Sequence, residues 1–202
     1  MTFTSVSRSS AETRLLGERL AGWLKPNDVL LLSGDLGAGK TEFSKGVAVG
    51  LGIGEAVASP TFNLMLAYQI GNAGVRASGG GVQAPDAGQL SDSGTLPSVV
   101  LQTSEGITKA LDTNGQQPHS LYHFDLYRLD SSDQLDDLDY FGLLEDGAVS
   151  VVEWGDRFVD AMPDDYLLVT IVIQNDESRQ LIFQAVGKRS EQLLQCFQAI
   201  QE

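Results

Sequence analysis

The chain has 202 residues, 42% of them hydrophobic, and a formal net charge of −14. That length suffices for one domain with a real core. No stretch approaches the ~18–20 consecutive apolar residues of a membrane span, and so acidic a surface repels phosphate backbones, which argues against autonomous nucleic-acid binding. The amino terminus has neither a basic n-region nor an apolar h-region, and the single cysteine, Cys196, excludes an internal disulfide. Both point to a reducing cytoplasm. Cys196 lies among Leu193, Leu194 and Phe197 and is expected to pack inside a helix.

In chain order, Phe3 to Val6 predicts a short strand. Ser9 with Glu12 has capping-box spacing and opens a helix whose apolar side is Leu16, Leu20, Trp23 and Leu24, ended by Lys25-Pro26-Asn27. Val29-Leu30-Leu31-Leu32 is an apolar run of the kind that forms a fully buried parallel strand. Directly after it comes Gly34-Asp35-Leu36-Gly37-Ala38-Gly39-Lys40-Thr41, which fits Gly-x4-Gly-Lys-[Ser/Thr], the phosphate-binding P-loop. Phe43, Val47 and Leu51 then recur at helical spacing, so the loop stands between a strand and a helix, where it must stand to work.

The chemistry follows from that placement. Glycines let backbone N–H groups turn inward around phosphate oxygens, and the helix amino terminus adds its positive end. Lys40 is expected to reach the β- and γ-phosphates and the Thr41 hydroxyl to hold Mg²⁺. The predicted ligand is a nucleoside triphosphate.

Ser59-Pro60-Thr61-Phe62 leads into an alternating strand, Leu64 to Tyr68. Thr61 lies where nucleotide switches place a hydroxyl that senses the γ-phosphate, and it equally suits a hydroxyl-capped proline turn. From Gly71 to Pro118 the chain turns rich in Gly, Ser and Gln, with no aromatic residue. Such composition predicts a long disordered insertion, with a functional lid as the sharper alternative.

Order returns with a strand from Leu121 that ends near Asp125. Ser132 is expected to cap a short acidic helix with Leu135, Leu138 and Tyr140 or Phe141 facing inward. Ala148 to Glu153 is a second buried strand ending in a carboxylate. Tyr166–Gln174 and Arg179–Val186 flank a hairpin turn, and Ser190 is expected to cap a last helix.

Asp125 and Glu153 both end apolar strands, at the carboxyl edge where open α/β sheets bind ligands. Glu153 is the first candidate to fix Mg²⁺, directly or through water. Asp125 is the next, as ligand or as the group that positions an attacking water. Trp154 suits either stacking on a nucleotide or partner, or plain packing. His123, between Tyr122 and Phe124, reads as a packed or hydrogen-bonded histidine.

Together, the loop Gly34–Thr41, Ser59-Pro60-Thr61-Phe62, His123-Phe124-Asp125-Leu126-Tyr127-Arg128 and Val152-Glu153-Trp154 resemble the TsaE (YjeE) family of bacterial ATPases. The resemblance implies an α/β, P-loop NTPase-like single domain over 1–202, with a mainly parallel central sheet flanked by helices, a C-terminal antiparallel hairpin and an insertion at 71–118. It implies Mg²⁺-dependent ATP hydrolysis in the threonylcarbamoyl modification of a tRNA adenosine, with TsaB and TsaD as partners whose complex the hydrolysis resets. On these positions, Gly37, Ala38, Gly39, Lys40, Thr41 and Glu42 match the phosphate-binding stretch, Thr41 and Glu153 the Mg²⁺ ligands, and Asp125 an acid needed for hydrolysis. Ser10 and Ser178 fall where the family contacts nucleotide. The chain departs from the family at Glu42, where a second Thr is common, and in the insertion.

Three rival readings exist. A GTP switch would use Asp139-Tyr140-Phe141-Gly142, but no Asn-Lys-x-Asp signature accompanies it. A small-molecule kinase needs an arginine-bearing lid, and Arg128, Arg157 and Arg179 are scattered. A nucleotide-gated adaptor with incidental hydrolysis would dock through the acidic helix around Asp133–Asp139.

Overall fold

The computed structural model describes residues 1–60, 63–71 and 117–201. In chain order the elements are β1 (Thr2–Ser7), α1 (Ser10–Ala21), β2 (Val29–Ser33), α2 (Lys40–Leu51), β3 (Met65–Gln69), β4 (Ser120–Asp125), α3 (Tyr140–Leu144), β5 (Val149–Glu153), β6 (Tyr166–Ile173), β7 (Arg179–Val186) and α4 (Lys188–Ala199). Short 3-10 turns occupy Ser132–Leu138, Gly155–Arg157 and Val159–Ala161.

The strands form a single sheet in the order β1-β7-β6-β2-β5-β4-β3. Its middle, β6-β2-β5-β4, is parallel, as expected of the buried apolar runs. The margins are antiparallel, so the sheet as a whole is mixed: β7 returns from β6 through a tight turn, β1 pairs with β7, and β3 pairs with β4.

Side chains alternate across a strand, so parity decides which face each one serves. Leu30, Leu32, Val149, Val151 and Leu121 pack with Leu16 and Leu20 of α1, Phe43 and Val47 of α2, and Leu194 and Phe197 of α4. Val29, Leu31, Tyr122, Phe124 and Val152 face the other way, onto Leu135, Tyr140, Leu144 and Phe158. The three long helices thus cover one face, and α3 with the 3-10 turns covers the other. On the first face α1 and α2 approach closely because Gly46 has no side chain: a Cβ there would lie 1.9 Å from the Arg14 carbonyl oxygen.

Several local expectations are corrected. Helix α1 stops at Ala21 with Gly22 as its C-cap, so Trp23 and Leu24 lie beyond it. Ser131, not Ser132, is the N-cap of the acidic turn, with Gln134 completing a capping box, and Phe141 is exposed while Tyr140 is buried. Ser190 does not cap α4. The N-cap is Gly187, and the Asp165 carboxylate accepts from the Arg189 and Ser190 backbone N–H groups. Cys196 is exposed, because the buried stripe of α4 runs through Ser190, Leu193, Leu194 and Phe197 and leaves position 196 on its flank.

The predicted insertion falls largely on residues 72–116, which lie outside the described residues. Among the described residues no helix is long and apolar enough to cross a membrane.

Candidate nucleotide site

The P-loop leaves β2 at Ser33 and enters α2 at Lys40, as its sequence context required. Gly34 adopts φ 142°, and a Cβ on it would lie 2.4 Å from the Ile171 carbonyl oxygen, so only glycine fits where the loop passes β6. The first backbone bond of α2 runs from Phe43 N–H to Gly39 O. The N–H groups of Lys40, Thr41 and Glu42 therefore precede the helix's own hydrogen-bond ladder, as an anion cradle needs.

Beside this cradle lies a cleft of about 310 Å³, lined by Gly37, Gly39, Lys40, Thr41, Glu42, Ser59, Asp125, Tyr127, Glu153 and Trp154 among others. The size falls at the lower end of ligand pockets. Register explains how two distant acids reach it. Asp125 pairs with Glu153 across β4 and β5, so both leave the sheet at the same level of its carboxyl edge. Their odd parity, shared with Leu121 and Val151, turns them to the face that carries α2.

Each acid is 3% exposed and held. Glu153 Oε1 accepts from Thr41 Oγ1 at 3.2 Å and from His123 Nε2 at 2.9 Å. Asp125 Oδ1 accepts from Tyr127 N–H at 3.0 Å, and Oδ2 from Ser59 Oγ at 3.2 Å. Lys40 Nζ donates to Gly34 O at 2.6 Å and to Asp35 O at 3.1 Å, and lies 3.9 Å from the centroid of the Trp154 ring. Burial pushes the Lys40 ammonium below its ordinary pKa, while Glu153, Asp125, Asp156 and Asp35 oppose that shift.

Trp154 owes its position to the backbone. It takes φ +65°, costly for a bulky residue, and its N–H donates to Leu32 O at 3.2 Å. That left-handed turn carries the ring over Lys40, with Tyr127 at 5.2 Å between ring centroids. Trp154 here packs against a cation and another aromatic ring.

The hard oxygens of Thr41 and Glu153 suit Mg²⁺, which takes one or two protein ligands and leaves its other positions to phosphate and water. Among the described residues no group of three or more His, Cys, Asp and Glu side chains makes a dedicated metal cage. The donor set fits a metal that arrives with a triphosphate.

The remaining predicted site residues are placed as follows. The Glu42 carboxylate is gripped by Arg14 of α1 and by Lys45, each at 2.6 Å, on the rim of the cleft. Ser10 is exposed at the start of α1, and Ser178 Oγ donates to Asp176 Oδ1 within the β6–β7 turn. Neither lines the cleft, although Ser7 pairs with Arg179, which brings both segments to the edge that carries the P-loop. Thr61 lies outside the described residues. Asp139 and Gly142 of the rival switch motif sit at the start of α3, away from the residues lining the cleft.

Sequence reading missed the Lys40–Trp154 stack, the Ser59–Asp125 bond and the His123–Glu153 bond. The last was accessible: His123 shares parity with Asp125, two residues on, and so faces α2 as the acids do.

A model of the family described as "Threonylcarbamoyl adenosine biosynthesis protein TsaE" matches residues 7–77 and 107–181. The chain is 32% identical over 182 residues to the tRNA threonylcarbamoyladenosine biosynthesis protein TsaE of Bacillus subtilis, covering 90% of this chain and 85% of that one. It is likewise 32% identical over 181 residues to the TsaE of Streptomyces coelicolor, covering 87% and 92%. The crystal structure of Bacillus subtilis YdiB superposes with a TM-score of 0.66 at 27% identity, covering 100% of this chain and 97% of that one. Half the chain and more falls within the family model, and the fold agrees with a solved structure: this chain belongs to the TsaE family.

Proposed function

We propose that this protein is a Mg²⁺-dependent ATPase of tRNA N6-threonylcarbamoyladenosine biosynthesis, whose ATP binding and hydrolysis reset a TsaB–TsaD complex. The observation that carries the reading is the convergence of Thr41, Glu153 and Asp125 on one cleft beside the P-loop, in a TsaE-family chain.

Backbone N–H groups from Gly37 to Glu42 bind phosphate oxygens, and Lys40 bridges the β- and γ-phosphates. The Thr41 hydroxyl and the Glu153 carboxylate would hold Mg²⁺, and the ion would supply positive charge beside the phosphates. That charge balance matters here, because Asp35, Asp125, Glu153 and Asp156 all lie close enough to act on the Lys40 ammonium. Of these, Asp125 and Glu153 line the cleft itself, so a bare triphosphate would meet their charge beside the Lys40 ammonium. Asp125, fixed by Ser59 and Tyr127 N–H, orients the attacking water.

The protein works in the cytoplasm and meets tRNA only through its partners, as its net charge of −14 suits. The test is ATP hydrolysis and tRNA modification with TsaB and TsaD homologues present. Lys40→Ala and Glu153→Ala are each expected to remove most turnover, about 10²-fold or more. Turnover near wild type in either variant would sink the assignment, as would a phosphorylated metabolite in place of free phosphate.

A further inference from the structure

His123 is a fully buried imidazole in the middle of an apolar strand, flanked by Tyr122 and Phe124. A ring there that served only to fill space would be better replaced by a hydrocarbon, because burying a polar group without a partner costs free energy. Nε2 lies 2.9 Å from Glu153 Oε1, while Nδ1 is buried and has no partner among the described residues. The bond to Glu153 is thus the polar contact that this ring makes.

Geometry gives the bond a specific use. Thr41 Oγ1, at 3.2 Å, and His123 Nε2, at 2.9 Å, both donate to Oε1 of the same carboxylate. Oε2 is engaged by neither. The Thr41 hydroxyl comes from α2 and His123 from β4, so the carboxylate is pinned from the helix side and the sheet side together. Pinning one oxygen fixes the plane of the group and hence the direction of the other. Parity makes this possible: His123 and Asp125 lie two residues apart on one face of β4, so the strand that delivers one acid also delivers the clamp for the other.

We infer that His123 is a positioning residue for the metal-binding carboxylate: its Nε2–H holds Glu153 Oε1 so that the carboxylate meets Mg²⁺ in one orientation. The inference rests on the proposal that Mg²⁺ and a nucleotide bind at this cleft. His123 itself touches neither.

The test compares His123→Phe, which keeps a ring but removes the donor, with His123→Gln, which restores an N–H at similar reach. Binding of a fluorescent ADP analogue is titrated with Mg²⁺ and again in EDTA, alongside thermal unfolding. His123→Phe is expected to raise the Mg²⁺ concentration for half-maximal effect by about 10- to 100-fold, with binding in EDTA unchanged, and His123→Gln to recover most of the loss. In a Glu153→Gln background, His123→Phe is expected to add nothing further.

Equal Mg²⁺ dependence in His123→Phe and wild type overturns the inference. So does a loss that appears equally in EDTA. Wild-type protein whose nucleotide binding ignores Mg²⁺ overturns the underlying functional reading instead, so the two failures are distinct. Should His123→Phe not fold, the wild-type ring carries the test by nitrogen NMR. An Nε2–H resonance that shifts with Mg²⁺ and ADP but not with ADP in EDTA supports the clamp, and an Nδ1–H tautomer ends it.

Discussion

The Lys40 ammonium lies over the Trp154 ring, 3.9 Å from its centroid, while donating to the Gly34 and Asp35 carbonyls of its own loop. A triphosphate that recruits this ammonium must change what the indole faces, so Trp154 should report binding. Mg²⁺ and ATP are expected to change tryptophan emission in wild type and in Trp23→Phe, but not in Lys40→Met. Lys40→Met should also weaken nucleotide binding about 10- to 100-fold, the worth of a charge-assisted hydrogen bond. An emission change that survives Lys40→Met would break the link between ring and ammonium.

The close approach of α1 and α2 makes Gly46 a sharp test of the packing. A Cβ at 1.9 Å from the Arg14 carbonyl meets backbone rather than a flexible side chain, so one helix has to move. Gly46→Ala is expected to destabilise the fold by about 1–3 kcal/mol, although alanine favours helix. Gly54, whose added Cβ meets nothing within 4 Å, is the control, and Gly54→Ala should change the urea midpoint little.

Asp28 and Arg189 form an ion pair at 2.6 Å on the far edge of the sheet from the P-loop. Burial raises the Asp28 carboxyl above its usual 3.8, and the Arg189 guanidinium restrains that rise. A raised folded-state value means that the native protein holds a proton the unfolded chain has released. The associated stability is complete below pH 3.8 and fades as pH climbs through the folded value. Arg189→Met should steepen this decline, with a loss of about 1–3 kcal/mol at neutral pH and little near pH 4. Urea midpoints measured across that range decide it; a loss independent of pH would refute the coupling.

Glu42 has the opposite slope. Hydrogen bonds from Lys45 and Arg14 hold its carboxylate below the ordinary 4.5, so its contribution is present above that value and lost as pH falls through the lower folded one. The side chain is 25% exposed on the rim of the cleft, open enough for solvent and salt to limit the effect. Glu42→Gln should cost less than about 1 kcal/mol at neutral pH and vanish in high salt. A larger cost that salt does not screen would show that the Arg14 bridge locks the two helices.

The P-loop, its flanking strand and helix, and the strand-end positions of Asp125 and Glu153 were legible because each is local: an apolar run, a glycine pattern, a carboxylate at the end of a run. What escaped depends on register or on distance along the chain. Asp165 caps a helix that begins more than twenty residues later, where the nearby Ser190 looked sufficient. Arg14 meets Glu42 only because glycines bring two helices together. Trp154 reaches Lys40 through a left-handed turn that nothing in Val152-Glu153-Trp154 announces. Cys196 sits one position from a buried phenylalanine, which made inclusion in the core plausible and turned out one step off the stripe.

The alternation along β4 and β5 has a consequence for how these strands tolerate change. Leu121, His123 and Asp125 share one face with Val149, Val151 and Glu153, while Tyr122, Phe124 and Val152 hold the other. Each strand is read in steps of two, much as a gene is read in steps of three. A substitution is a misspelling confined to its position. A one-residue deletion between Leu121 and Asp125 shifts the frame, sending an aromatic ring toward the cleft beside Lys40 and the acid into the opposite core.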